Sequence, residues 1–249
     1  MNAEIIYGFH PVREALRANR RKIYTIYIGR DTSGNRSEEI STLAGAKGIA
    51  VERVTADTIR SMCRTDHHQD VCARVSAYPV VAAEDLMDML PTGETSSFFL
   101  VIDSVLDPQN LGALIRSALA AGVPGVLTPK DRSAPPTAAV SKASAGALEH
   151  IRLARVTNLS RTLEALKQRG LWIFGLEGTA DQEIYRTDLT GPLALVVGGE
   201  EKGIRPLVKQ HCDLLVSIPQ FGPLDSLNAS VAGALAMYEV FRQRRYRSC

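Results

Sequence analysis

Apolar and polar positions along the chain alternate in two rhythms, one helical and one extended. In "PVREALRANR" the apolar residues recur at helical spacing, and Pro11 stands early, where its missing N–H costs little. "KIYTIYIG" alternates apolar residues with β-branched and aromatic partners and predicts a strand. "SEEISTLAGAKG" predicts a helix opened by Ser37 and closed by Gly48. A short strand "AVERVT", a helix "ADTIRSMCR" and a strand "DVCARVSAY" follow. Together they make a small α/β unit over residues 1–78, roughly the smallest size that folds alone.

Residues 79–97 read as a linker: a short helix over 83–90, then a stretch rich in Pro, Gly, Ser and Thr. From residue 98 the alternation resumes. Strands "FFLVID", "GVLTP", "LWIFGLE", "LALVVGG" and "LLVSIPQ" are interleaved with helices "QNLGALIRSALAAG", "NLSRTLEALKQRG", "IRPLVKQH" and "SLNASVAGALAMYEVFRQRR". Strands this continuously apolar, alternating with helices, predict a parallel sheet covered on both faces over residues 98–249. Ligands of such sheets lie beyond the carboxyl ends of the strands, so the functional residues are expected just after strands.

Composition narrows the picture a little. Of the 249 residues, 45% are hydrophobic, ample for a buried core. No apolar run approaches bilayer length, and "MNAEIIYGFH" lacks the order of a signal peptide. The four cysteines form no CxxC pair, which suits reduced thiols and a cytoplasmic location. Net charge is +2; residues 1–78 hold twelve Lys/Arg against nine Asp/Glu, and the remainder seventeen against eighteen. Two basic clusters, "RANRRK" at 17–22 and "RQRRYR" at 242–247, suit phosphate contacts and equally a solubilising helix end and tail.

The strand-end loops exclude several chemistries. There is no GxGxxG, no GxxxxGK[ST], no HExxH and no GxSxG. His67 and His68 are adjacent and cannot readily share a metal, so no metal is expected. Three polar clusters remain. In "DPQNLGALIRSA", Asn110 and Arg116 lie six residues apart at the start of a helix; Asn110 suits a ligand contact or an N-cap, and Arg116, in a helix this apolar, points to function. In "LALVVGGEEKGIRP", Gly198 and Gly199 follow a buried strand, as where a ligand approaches backbone. Glu200 and Glu201 there favour a neutral or cationic ligand, or serve the following helix's positive end. In "SIPQFGPLDSLNASVAGALAMYE", a cap explains one of Ser226 and Asn228 but not both. The small residues behind them permit close packing by another chain or by the core.

These clusters, in this order, resemble the motifs of the SpoU-type RNA 2′-O-ribose methyltransferases of the SPOUT class. Asn110, Gly112 and Arg116 match the first motif; Gly198, Glu200 and Gly203 the second; Ile218, Pro219, Ser226, Leu227 and Asn228 the third. The match spans roughly the last 150 residues. "YGFHPVREAL", "HQDVCARV" and "PKDRSA" look like the branch that methylates a guanosine ribose in the peptidyl-transferase loop of bacterial large-subunit rRNA. Asp70 departs from that branch, standing where a glycine is expected after His-Gln, and "GEEKG" carries more charge than the usual pattern.

The resemblance implies an α/β fold: a C-terminal SPOUT α/β-knot, a parallel sheet with a deep trefoil knot, behind a small N-terminal L30e-like domain that holds RNA. It implies S-adenosylmethionine as cofactor, contacted by Gly198, Gly199, Ile218, Pro219, Leu227 and Thr128. It implies in-line attack of a ribose 2′-oxygen on the cofactor methyl, with Arg116 handling the hydroxyl as base or, being always protonated, fixing the target phosphate. Asn110, Glu200, Ser226 and Asn228 would orient the ribose, Arg116 and the loops. A homodimer follows, because Arg116 acts beside a cofactor held largely by the partner subunit. The expected RNA is large-subunit ribosomal RNA; the alternatives are the same methylation on tRNA or another rRNA nucleotide, and a non-catalytic RNA-binding homologue.

Overall fold

The structure, a computed structural model, describes residues 3–89, 97–223 and 226–246. Its contacts divide into two compact units: Met1–Pro79 with Pro136–His150, and Val80–Pro135 with Ile151–Cys249.

In the first unit β1 (Ala3–Tyr7), α1 (Phe9–Ala18), β2 (Ile23–Gly29), α2 (Asn35–Gly45), β3 (Ala50–Val54), α3 (Ala56–Cys63) and β4 (Val71–Ser76) follow one another. The sheet order is β1-β4-β2-β3, with β4 antiparallel to both its neighbours and β2 parallel to β3. Val12, Ala15 and Leu16 of α1 pack into a core with Ile26, Ile28, Ala73 and Val75. Two details differ from the expectation. Helix α2 starts two residues before Ser37, behind Gly34 at φ 100°; Ser37 instead donates its hydroxyl to the Gly34 carbonyl. Gly45 is its last residue, and Gly48, at φ 64°, reverses the chain beyond it. Strand β1, not foreseen, pairs along its whole length with β4.

The first basic cluster is largely spent on this unit. Arg21 is buried between Glu4 and Glu149, and Arg17 meets Glu14 and Glu39. Gln69 and Asp70 lie at φ 55° and 54°, the left-handed region where glycine is at ease. That accounts for the glycine expected at position 70; aspartate is among the side chains that tolerate the region. Asp70→Val, β-branched, is expected to cost about 1–2 kcal/mol and Asp70→Gly nothing, read as shifts in urea midpoint.

The second unit holds α4 (Ala83–Asp88), β5 (Phe98–Asp103), α5 (Pro108–Ala120) and β6 (Gly125–Pro129). The chain then lends α6 (Ala138–Ala143) to the first unit. It returns with β7 (Arg152–Val156), α7 (Leu159–Gln168), β8 (Trp172–Leu176), β9 (Leu193–Gly198), α8 (Pro206–Lys209), β10 (Leu214–Val216) and α9 (Ala229–Arg245). The sheet order is β10-β8-β9-β5-β6-β7, every pair parallel, as the buried apolar strands led one to expect. All residues of the central strands β5 and β9 are buried. The Pro/Gly-rich part of the expected linker falls on 90–96, outside the described residues.

Helix α9 packs on α5 and β9, and this contact explains its small residues. A Cβ on Gly233 would stand 2.4 Å from Leu114 Cδ2. In the second basic cluster Arg242 is bound to Glu239, and Arg244 donates to the carbonyls of Leu189, Ser97 and Gly191; Arg247 lies outside the described residues.

Candidate active site

The carboxyl ends of β5, β8, β9 and β10 carry the expected residues. Asp103, the last residue of β5, is fully buried and anchors the loop that follows β9. It accepts from the Arg205 backbone N–H at 2.9 Å and from Arg205 Nε at 2.8 Å, while Arg205 Nη2 lies at 2.8 Å. At the loop's start, Cβ atoms would stand 2.1 Å from the Gly203 carbonyl carbon at Gly198 and 2.2 Å from the Ser104 oxygen at Gly199. The loop therefore closes only with glycines at both positions. Asp103→Asn keeps the shape but leaves the guanidinium without its counter-charge; a loss of about 3 kcal/mol in urea unfolding is expected.

Asp107 caps α5 through the Gln109 N–H at 3.0 Å, which corrects the N-cap reading of Asn110. Released from capping, the Asn110 amide donates to Glu200 Oε1, and its oxygen accepts from Asn228 Nδ2 at 3.0 Å. Asn228 is the cap of α9: its Oδ1 accepts from the N–H groups of Ser230 at 2.9 Å and Val231 at 3.3 Å. The cap explanation thus belongs to Asn228, not Ser226. A single chain of hydrogen bonds runs from Glu200 through Asn110 to the start of α9, joining all three motif clusters.

Beside it is a cavity of about 320 Å³, within the range of small-molecule sites. Gly198, Gly199, Glu200, Ile218, Ser226 and Leu227 line it. Glu177 and Glu201 add carboxylates to the wall, and Glu177 is paired with Lys209. Apolar side chains such as Leu176, Val216 and Ile218 share the wall with glycine backbone and the carboxylates Glu177, Glu200 and Glu201, and Lys202 is the lining cation. The remaining expected residues lie elsewhere. Pro219 is half-buried between two lining residues. Thr128, 1% exposed, ends near the carboxyl edge of β6 with a hydroxyl that has no partner among the described residues. Arg116 is exposed on α5 and makes no hydrogen bond or ion pair among the described residues. Six residues place it about 9 Å along the axis and about 120° around it from Asn110, so the two do not meet within one chain.

Asp103, Arg205 and Glu177 were not foreseen. A carboxylate closing the apolar run "FFLVID" was the available signal for Asp103. Cys212, on the α8 side of the sheet, is no nucleophile: burial pushes its thiol up to about 12.

Known proteins resemble this chain in sequence and in fold. The SpoU rRNA methylase family model matches residues 97–238, and a model for RNA 2′-O ribose methyltransferase substrate binding matches residues 5–81. The chain is 43% identical over 244 residues to a 23S rRNA (guanosine-2′-O-)-methyltransferase RlmB from Pseudomonas putida, covering 98% of each protein. It is 41% identical to a putative TrmH family tRNA/rRNA methyltransferase, YacO, of Bacillus subtilis, covering 97% of this chain and 96% of that one. In fold it is similar to the SpoU methyltransferase AviRb of Streptomyces viridochromogenes, solved with AdoMet: TM-score 0.82, 22% identity, 97% of this chain and 90% of that one.

Proposed function

Since this chain belongs to the SpoU rRNA methylase family, we propose that it transfers a methyl group from S-adenosylmethionine to the 2′-oxygen of a guanosine ribose in bacterial 23S rRNA, in the peptidyl-transferase loop. The observation that carries the proposal is the hydrogen-bonded chain Glu200–Asn110–Asn228, which gathers three distant motifs beside a cavity of cofactor size.

The cavity's chemistry fits this donor. Its carboxylates favour a cation, and its glycine backbone presents amides and carbonyls to a neutral purine. The bound cofactor supplies an electrophilic methyl group on a sulfonium. Gly198, Gly199, Ile218 and Leu227 hold it through their backbone, with Pro219 and Thr128 supporting the strand ends. Glu200 fixes Asn110, Asn228 ties Asn110 to α9, and Ser226 meets the ribose. Arg116, permanently protonated, fixes the target phosphate and hydroxyl while a phosphate oxygen or water takes the proton. The trefoil knot belongs to the same proposal, on the strength of the family.

A homodimer completes this site. On α9, Val231, Leu235 and Tyr238 are exposed at helical spacing, and Leu119 is exposed on α5 near Arg116. Apolar positions of this kind are what a self-complementary interface covers. The division of labour belongs to the proposal too: the first unit, residues 1–79 with 136–150, binds the RNA substrate, and the second, 80–135 with 151–249, carries the chemistry, α4 of the expected linker belonging to the second. The location is cytoplasmic, where rRNA is made; no described helix is long and apolar enough to cross a membrane.

Incubation with tritiated S-adenosylmethionine and either rRNA or tRNA from a strain lacking the modification tests the substrate. Label in large-subunit rRNA alone is expected. Label in tRNA alone overturns the choice of RNA, and binding of RNA with no label in either assigns the chain to the non-catalytic alternative.

A further inference from the structure

A second groove lies along the same carboxyl edge of the large sheet, beyond β5, where the site above does not reach. It has a volume of about 730 Å³, between α4 and α7 and over the ends of β6 and β7. Lys130, Arg155, Arg161 and Arg169 reach its wall. Arg169 is answered by Asp88, but Lys130, Arg155 and Arg161 have no carboxylate partner among the described residues. Glu84 is the acid on the wall, and it pairs with none of them.

Arg155 is the best-held of the cations. One of its terminal nitrogens donates to the Lys130 carbonyl, while its buried Nε has no partner among the described residues. Lys130 and Arg161, both exposed, are the cations open to an incoming oxyanion. The attraction comes from side chains: the Arg161 N–H at the start of α7 is already bound to Asn158 Oδ1 at 3.1 Å. No aromatic residue among the described residues lines the groove, so it offers no platform on which a base could stack. What it suits is a chain of phosphates read without regard to sequence.

We propose that this groove is a phosphate-binding subsite for the RNA backbone flanking the methylated nucleotide. The proposal rests on the methyltransferase reading for its geometry. In the order β9-β5-β6-β7, three strand spacings separate the two sites, about 14 Å, a span that a short run of single-stranded nucleotides covers. The sheet edge then divides into an acidic half for the cationic cofactor and a basic half for the polyanionic strand. The target ribose lies between them, over β5, where Asn110 stands in the first turn of α5.

The test uses the full-length protein and a fluorescein-labelled 23S rRNA fragment carrying the peptidyl-transferase loop, with binding followed by anisotropy across a series of KCl concentrations. Lys130 and Arg161 are both exposed, so the double variant Lys130→Gln/Arg161→Gln leaves the core alone. It is expected to bind the fragment about tenfold or more weakly at low salt. Its slope of log affinity against log salt falls by about 2, one for each lost phosphate contact. Cofactor binding by calorimetry and kcat at saturating RNA stay at the parent's values. Arg161→Lys keeps the slope and Arg161→Glu weakens binding further, an ordering that a purely structural role does not produce. An unchanged slope and affinity in the double variant overturns the subsite even if the protein methylates rRNA. Conversely, a protein that labels no RNA but shows the expected change in slope keeps the subsite and loses the enzymatic reading.

Discussion

The Arg116→Ala variant is expected to fold and to bind S-adenosylmethionine as the parent does, yet methylate RNA about 10³-fold more slowly. The first half follows from exposure: Arg116 makes no bond within the described chain, so nothing in the fold depends on it. The second half follows from the proposed role, because a 2′-hydroxyl is a poor nucleophile and gains most of its rate from positioning and proton removal. Arg116→Lys separates the two forms of that role. If the guanidinium serves as a charge that fixes the phosphate, lysine retains measurable turnover with a raised KM for RNA, having lost the bidentate fork. If the residue had to lose a proton, lysine, with its lower pKa, would gain activity as pH rises towards its own titration range. Single-turnover rates for the three proteins across pH distinguish these outcomes.

Gly198→Ala is expected to weaken S-adenosylmethionine binding by at least about 100-fold and to lower stability by about 2–3 kcal/mol. The added methyl would lie 2.1 Å from the Gly203 carbonyl carbon and 2.3 Å from the Ile204 nitrogen, atoms of backbone that no rotamer change can move aside. Relief would require the loop between Gly199 and Arg205 to open, and that loop is held by Asp103 and carries Glu200. The cavity wall and the Asn110 contact are thus lost together. Gly222→Ala, with nothing within 4 Å of its Cβ, is the matched control and should leave both quantities unchanged. Calorimetric titration with the cofactor reads the first effect, and urea unfolding the second. The two variants also test the dimer. If Arg116 of one subunit serves the cofactor of the other, random mixed dimers of Arg116→Ala and Gly198→Ala recover about a quarter of the parent activity.

Much of the large sheet was legible because its central strands are buried on both faces and so read as unbroken apolar runs. The elements that escaped notice are those whose pattern is set from afar. β7, "RLARV", carries two arginines, and β1, "AEIIY", is an edge strand recognisable mainly by its antiparallel partner β4. Residues 136–150 fold with the first unit although they lie within the second in sequence, and no local signal marks that return. The same holds for the site. Glycines after a buried strand and an asparagine before a helix were visible as ligand-facing candidates. The bonds joining Asn110 to Glu200 and Asn228 span 90 and 118 residues, and the Asp103–Arg205 anchor spans 102, separations across which periodicity says nothing. The choice between cap and ligand contact for Asn110 turned on Asp107, three residues away, taking the cap.

The most direct test of the central claim is the identity of the product. Large-subunit rRNA labelled with tritiated S-adenosylmethionine by the purified protein is digested to nucleosides and separated by chromatography. The account predicts that the tritium elutes with 2′-O-methylguanosine and is absent when Arg116→Ala replaces the parent. Tritium on a base-methylated nucleoside, or 2′-O-methylguanosine formed equally well by Arg116→Ala, would contradict it.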